Sequence, residues 1–328
     1  AIDRMAKLTK EDIVAFANKY LKEDNYAVIY KKQGKDPNEK KMTKPEITPI
    51  ITNRDVASPF LVEVQESAVK PIEPVFLDYQ KDMSQLKAKS DIPVLYKQNV
   101  ANDLFQLIYV FDMGNNHDKA LGTAFDYLEY LGTSDMTPEE LKSEFYRLAC
   151  TFYVSPGNER TYVVLSGLNE NMPAAVQLFE KLLADAQVNK EAYTNMTSDI
   201  LKARSDAKLN QGQNFSRLMS FAMYGPKSPA TNLLTEAELT NMNPQELVDR
   251  IHNQNSYKHR ILYYGPSSSK DLLATINQYH QVPAALKDIP AGNEYAYLET
   301  PVTKVLVAPY DAKQIYMAQI SNLDKKYD

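Results

Sequence analysis

The side chains suited to chemistry are few. Four histidines occur, His117, His252, His259 and His280. None has a second histidine three or four positions away, the spacing that lets two imidazoles on one helical face share a metal. His252 and His259 flank an expected helix end and His117 follows Asn115-Asn116 in a turn; solvated surface is the reading for these three. Cys150 lies between Ala149 and an expected strand and reads as a buried, inert thiol rather than a nucleophile. As the only cysteine it excludes an internal disulfide and a Cys-rich zinc site. Gly265-Pro266-Ser267-Ser268-Ser269-Lys270 follows an expected strand, as a phosphate loop would, but lacks the second glycine before the lysine. Its serines more simply cap the next helix. Twenty-two tyrosines and no tryptophan offer apolar area with a polar tip, suited to a peptide-binding wall.

These residues sit in a chain of ordinary globular make-up. Its 328 residues are 44% hydrophobic and 24% charged, enough for one large or two ordinary domains. Mean hydropathy is -0.45, and no stretch approaches the ~20 apolar residues of a membrane span. The formal charge of -5 and the lack of a basic stripe argue against a nucleic-acid partner. The first residues show no signal-peptide series; the chain opens inside an amphipathic segment.

Thr9-Lys10-Glu11-Asp12 reads as a capping box opening a helix with Ile13, Phe16, Ala17, Tyr20 and Leu21 on one face. Tyr26–Tyr30 reads as a short strand. Residues 32–75 turn to Lys, Pro, Asp and Glu, with prolines at 37, 45, 49, 59, 71 and 74, the composition of an extended linker; Pro59–Val62 is a possible docked edge strand within it. The body from about 76 shows expected strands at 93–98 and 104–111, paired across a turn, then 151–154, 160–168 and 260–264. Expected helices cover 118–131, 137–148, 171–187, 189–209, 212–223, 243–254 and 268–279, with Thr137-Pro138-Glu139-Glu140 a strong start. Strands and helices alternate in clusters, which predicts an α+β fold: a mixed or antiparallel sheet packed on a layer of helices.

An internal repeat bears on domain organisation. Residues 9–30 recur around 243–264: Thr9-Lys10-Glu11-Asp12-Ile13-Val14 against Asn243-Pro244-Gln245-Glu246-Leu247-Val248, then Ala27–Tyr30 against Ile261–Tyr264. Pro93-Val94 with Leu104–Phe111 likewise matches Pro301-Val302 with Ala312–Gln319, placing Gln106 against Gln314. The offsets, 234 residues from Thr9 to Asn243 and 208 from Pro93 to Pro301, differ because only the first spans the linker. The expected organisation is tandem units of roughly 200 residues: the end of one (1–31), a linker (32–75), one whole unit (76–283) and the start of another (284–328).

Tandem α+β units with a long linker resemble the pitrilysin or insulinase family of zinc metallopeptidases. Leu128-Glu129-Tyr130 followed by Leu131-Gly132-Thr133 resembles the zinc helix of that family, written H-x-x-E-H with a nearby glycine-threonine. Tyr224-Gly225-Pro226, Thr235 with Glu238-Leu239, the helix 243–254, the strand 260–264 and the helix 268–279 resemble the run that closes a unit.

In the family motif two histidines hold zinc and the glutamate activates water. Those positions fall here at Asp126, Glu129 and Tyr130, and both imidazoles are missing; a phenol with a pKa near 10 is a poor neutral-pH ligand. Glu191 falls roughly where the family places its third ligand. The bland reading of this stretch has Leu128 in the core and Asp126 and Glu129 facing solvent or capping neighbours. Arg217 and Tyr224 share the spacing of the family's substrate-binding Arg and Tyr but lack the accompanying glutamate and glycine, and read as helix surface and core. The resemblance implies a substrate-enclosing, non-catalytic portion of a zinc metalloendopeptidase, with no metal site in these residues and zinc in an upstream unit. The alternative is an inactive binding or assembly subunit. Implied partners are a catalytic N-terminal half and a peptide, and the implied location is periplasmic or otherwise extracytoplasmic.

Overall fold

The computed structural model describes residues 2–322 apart from 6, 32–33, 35–41, 51, 53–55 and 312–313. Pro37, Ala312 and residues 323–328 of the expected linker and final segment thus lie outside the described residues. The chain divides into two units, residues 1–73 and 74–328.

The first unit holds α1 (Ile2–Met5), α2 (Lys10–Tyr20) and α3 (Pro59–Glu66). The capping box at Thr9 forms as read, with Asp12 N–H on the Thr9 hydroxyl and the Asp12 carboxylate on the Thr9 amide. The possible edge strand at Pro59–Val62 is instead the start of α3, because Ser58 caps Leu61 N–H and proline suits the first helical turn. Tyr26–Tyr30 forms no strand: a strand needs a neighbouring ladder, and the described residues supply none.

The second unit runs β1 (Ser84–Lys87), β2 (Pro93–Gln98), β3 (Leu104–Phe111), α4 (Leu121–Leu128), α5 (Pro138–Arg147), β4 (Cys150–Pro156), β5 (Thr161–Leu168), α6 (Met172–Asp185), α7 (Lys190–Ala207), α8 (Gln211–Tyr224), α9 (Glu236–Asn241), α10 (Gln245–Asn253), β6 (Arg260–Gly265) and α11 (Ser269–Tyr279). The α+β class is as expected. The strands form one mixed sheet in the order β1-β2-β6-β3-β5-β4. β2 and β3 do not pair with each other: β6 lies between them, parallel to β2 and antiparallel to β3. Local sequence suggested a hairpin, but the five residues 99–103 span a gap that a strand from far along the chain fills.

Alternate strand residues bury Val94, Phe105, Leu107, Tyr109, Phe111, Val163, Leu165, Ile261 and Tyr263. Against them pack Phe179 and Leu182 of α6, Leu121 and Phe125 of α4, Ile251 of α10 and Ile276 of α11. Gln106, Thr151, Tyr153 and Tyr264, of opposite parity, are exposed. The helix starts follow their caps, with complete capping boxes at Thr137 and Thr235 and Ser268 accepting from Asp271 N–H. Ser268 thus caps a helix, as the serine run suggested. One helix–strand pair of the sequence repeat forms, α10 leading to β6; among the described residues no tandem copy is seen, and residues 301–311 and 314–319 form no strand.

Candidate functional site

The helix with the motif positions is α4. Its start is tied down from outside: Asn115 Oδ1 accepts Gly122 N–H at 2.9 Å and Asp118 Oδ1 accepts Ala120 N–H at 3.0 Å. Leu121, Ala124, Phe125, Tyr127 and Leu128 are buried, which turns Asp126, Glu129 and Tyr130 to the exposed side. Leu128 is therefore core and the two carboxylates are outward. Burial of its carboxyl, with repulsion from Glu129 added, raises the pKa of Asp126 although the side chain as a whole is exposed.

The Tyr127 hydroxyl donates to Asn189 O at 2.6 Å and accepts Asn189 N–H at 2.8 Å. Asn189 caps α7, so the structure brings the helix of Glu191 against the helix of Asp126 and Glu129; Glu191 itself is exposed in the first turn. After α4 the chain doubles back through Leu131-Gly132-Thr133, with Thr133 N–H on Met136 O and Gln187 N–H on Gly132 O. A Cβ at Gly132 would stand 2.3 Å from the Met136 oxygen, so close approach explains this glycine.

Residues 126–130 do not fit zinc. They offer two outward carboxylates, one of raised pKa, and a half-exposed phenol. Among the described residues no group of three or more His, Cys, Asp or Glu side chains is arranged to hold a metal ion.

Beside α4 lies a cleft of 370 Å³, lined by Phe125, Leu141, Phe145, Phe152 and Leu182 with Glu129 at its margin. Phe152 packs between Phe145 and Phe179, with ring centroids 4.9 Å from each. β4 borders this cleft and ends the sheet. The bonds Gly157 N–H to Arg160 O and Leu168 N–H to Ala149 O bracket the β4–β5 ladder. Bonded pairs alternate, so Thr151, Tyr153 and Ser155 bond to β5, while the backbone groups of Cys150, Phe152 and Val154 point away from the sheet. Such an edge is a template for an added strand. Periodicity marked β4 as a strand; its place at the edge was not legible in sequence.

The other candidates are dispersed. Cys150 is buried with its thiol pKa pushed up by burial. Arg217 is exposed on α8, and Tyr224 stacks on Tyr297 at 4.8 Å. His117 is half-buried and accepts Gly114 N–H at 3.0 Å; His252 is exposed and reaches Ala186 O at 3.1 Å. The solvated reading of His259 is overturned: it is 7% exposed, packed on Phe111 and bonded to His280. Folding places the residue before β6 under the helix layer, which its polar neighbour Lys258 did not signal.

This fold is that of M16 (pitrilysin) peptidase domains. The chain is similar to the periplasmic protease PqqL of Escherichia coli, with a TM-score of 0.58 and 14% identity over 89% of this chain and 30% of that one. It is also similar to a peptidase M16 inactive domain from Pseudomonas fluorescens, with a TM-score of 0.55 and 17% identity over 65% and 54% of the two chains. The ferredoxin protease FusC, solved with Arabidopsis ferredoxin, gives a TM-score of 0.57 at 13% identity, again over 89% and 30%. The chain thus spans 30–54% of the length of these proteins. No family model and no curated protein matches the sequence. No described helix is long and apolar enough to cross a membrane.

Proposed function

We propose that residues 76–283 are a degenerate peptidase-like unit, the substrate-enclosing and non-catalytic part of a zinc-dependent metalloendopeptidase. Residues 1–31 then end a preceding unit, 32–75 are the linker, and 284–328 begin the next. Zinc and its glutamate base belong to an upstream catalytic half, in the same chain or a partner subunit. The observation that carries this reading is the open edge of β4 along an apolar cleft, beside a helix that keeps the motif's place without its imidazoles. Such a surface can hold an extended peptide by backbone pairing while the cleft takes an apolar side chain. Likeness to a periplasmic protease supports an extracytoplasmic location. Likeness to a solved inactive domain favours a second reading, a peptidase-like binding or assembly subunit without catalysis.

Cleavage of a quenched fluorescent peptide separates the two. The assay compares the full parent chain, its upstream half, and that half with this segment added, each with and without a zinc chelator. Chelator-sensitive cleavage by the upstream half that this segment raises, while inactive alone, supports the enclosing role. Absence of cleavage in every combination transfers the assignment to the binding subunit, and cleavage by this segment alone overturns both.

A further inference from the structure

Glu180 of α6, His280 at the end of α11 and His259 just before β6 are 1%, 0% and 7% exposed. They form an unbroken polar chain through the core. Glu180 Oε1 lies 2.6 Å from His280 Nδ1, His280 Nε2 lies 2.8 Å from His259 Nε2, and His259 Nδ1 lies 2.7 Å from the Tyr257 carbonyl oxygen.

The direction of each bond follows from what each atom can do. A carbonyl oxygen only accepts, so His259 Nδ1 carries a proton. Burial, and then the charge of His280, lower the pKa of His259 to about 4; at neutral pH its Nε2 is bare and accepts. His280 therefore donates from Nε2. Its Nδ1 contact with Glu180 also needs one proton between the two atoms. Glu180 Oε2 already accepts Asn255 Nδ2–H at 2.9 Å and Gln281 N–H at 3.0 Å. One proton is thus shared across that contact, and His280 is bonded at both ends.

The same groups fasten the segment that follows α11. Gln281 N–H is held by Glu180. Beside Tyr257, Lys258 N–H donates to Lys287 O at 2.9 Å and Lys287 N–H to Ser256 O at 2.8 Å. We propose that the Glu180–His280–His259 chain is a proton-operated latch that fastens residues 281–287 to the body of the second unit, closed near neutral pH and opened by acid at His259. A proton added to His259 Nε2 sets two N–H groups face to face across 2.8 Å, and the central bond is lost. Glu180, Asn255 and Gln281 line a 330 Å³ cavity.

Other titratable groups facing the latch are few. Tyr109 of β3 lies with its ring 4.4 Å from that of His280, and burial, then the charge of Glu180, raise its pKa well above the ordinary value, so it stays neutral. His252 of α10 lines the cavity. At the His259 end, Lys258 pairs with Asp288 and Lys287 lies over the Tyr257 ring.

The test is nitrogen-detected imidazole NMR of the full chain, with amide-exchange protection read at Gln281, Lys258 and Lys287. At pH 7, His280 is expected to carry a proton on Nε2 and His259 on Nδ1 alone. Protection of those amides should fall about tenfold for each pH unit between 6.5 and about 4 and level off below that, while the β3–β5 ladder stays protected. His259→Gln keeps a donor for Tyr257 and an acceptor for His280 but cannot charge, so it should keep its protection in acid. A His280 without a proton on Nε2 at pH 7 in the unmodified chain overturns the latch, as does equal loss of protection in acid with and without His259→Gln.

Discussion

At the scale of single residues, burial decides which groups titrate. With a pKa moved from 6.5 to about 4, His259 binds a proton more readily in the unfolded chain than in the folded one between those values. Its stabilising contribution is therefore complete above pH 6.5 and is lost as the pH falls towards 4, about 3 kcal/mol in all. Denaturant titrations across that range should show the slope, and His259→Gln should remove it. Gly132 belongs to this scale too. A methyl group there meets the Met136 oxygen at 2.3 Å, so Gly132→Ala is expected to cost about 2 kcal/mol or more, read as a shift in denaturation midpoint.

At the scale of elements, caps and edges carry the argument. Thr137 closes α5 with a reciprocal box involving Glu140; Thr137→Ala should cost about 1 kcal/mol and loosen the wall of the cleft. For β4, the outward N–H of Val154 plays no part in the β4–β5 ladder. Val154→Pro should therefore leave the sheet intact, with circular dichroism unchanged, yet weaken capture of an extended peptide at least several-fold by fluorescence anisotropy. Unchanged capture would remove β4 from the binding surface. Phe145→Ala differs in kind: loss of a ring packed 4.9 Å from Phe152 should cost about 3 kcal/mol, a stability effect to be separated from binding by working well below the melting temperature.

At the scale of the molecule, one mixed sheet under a helix layer explains why chemistry-bearing residues far apart in sequence serve structure or surface. Asp126 and Glu129 face outward because the buried stripe of α4 is Leu121, Ala124, Phe125 and Leu128. The helix of Glu191 comes to α4 through Tyr127 and the cap of α7. If this unit encloses substrate for an upstream zinc site, Glu129→Gln should leave peptide cleavage by the full parent chain within about twofold of its starting rate, because the glutamate of the zinc motif acts on a metal-held water and that water would lie in the upstream site. A loss of orders of magnitude in kcat would return α4 to the catalytic machinery.

Local pattern was enough for much of this protein. The strands 93–98 and 104–111, the helices opened by Thr137 and Ser268 and the buried Cys150 follow from periodicity, caps and residue type, which act over a few residues. What followed only from the tertiary structure was long-range. β6 enters between β2 and β3, β4 is left as the open edge, and Glu180, His280 and His259 are drawn together across 100 and 21 residues of chain. Those outcomes depend on burying every face of the strands and helices at once, and no short window of sequence contains that constraint.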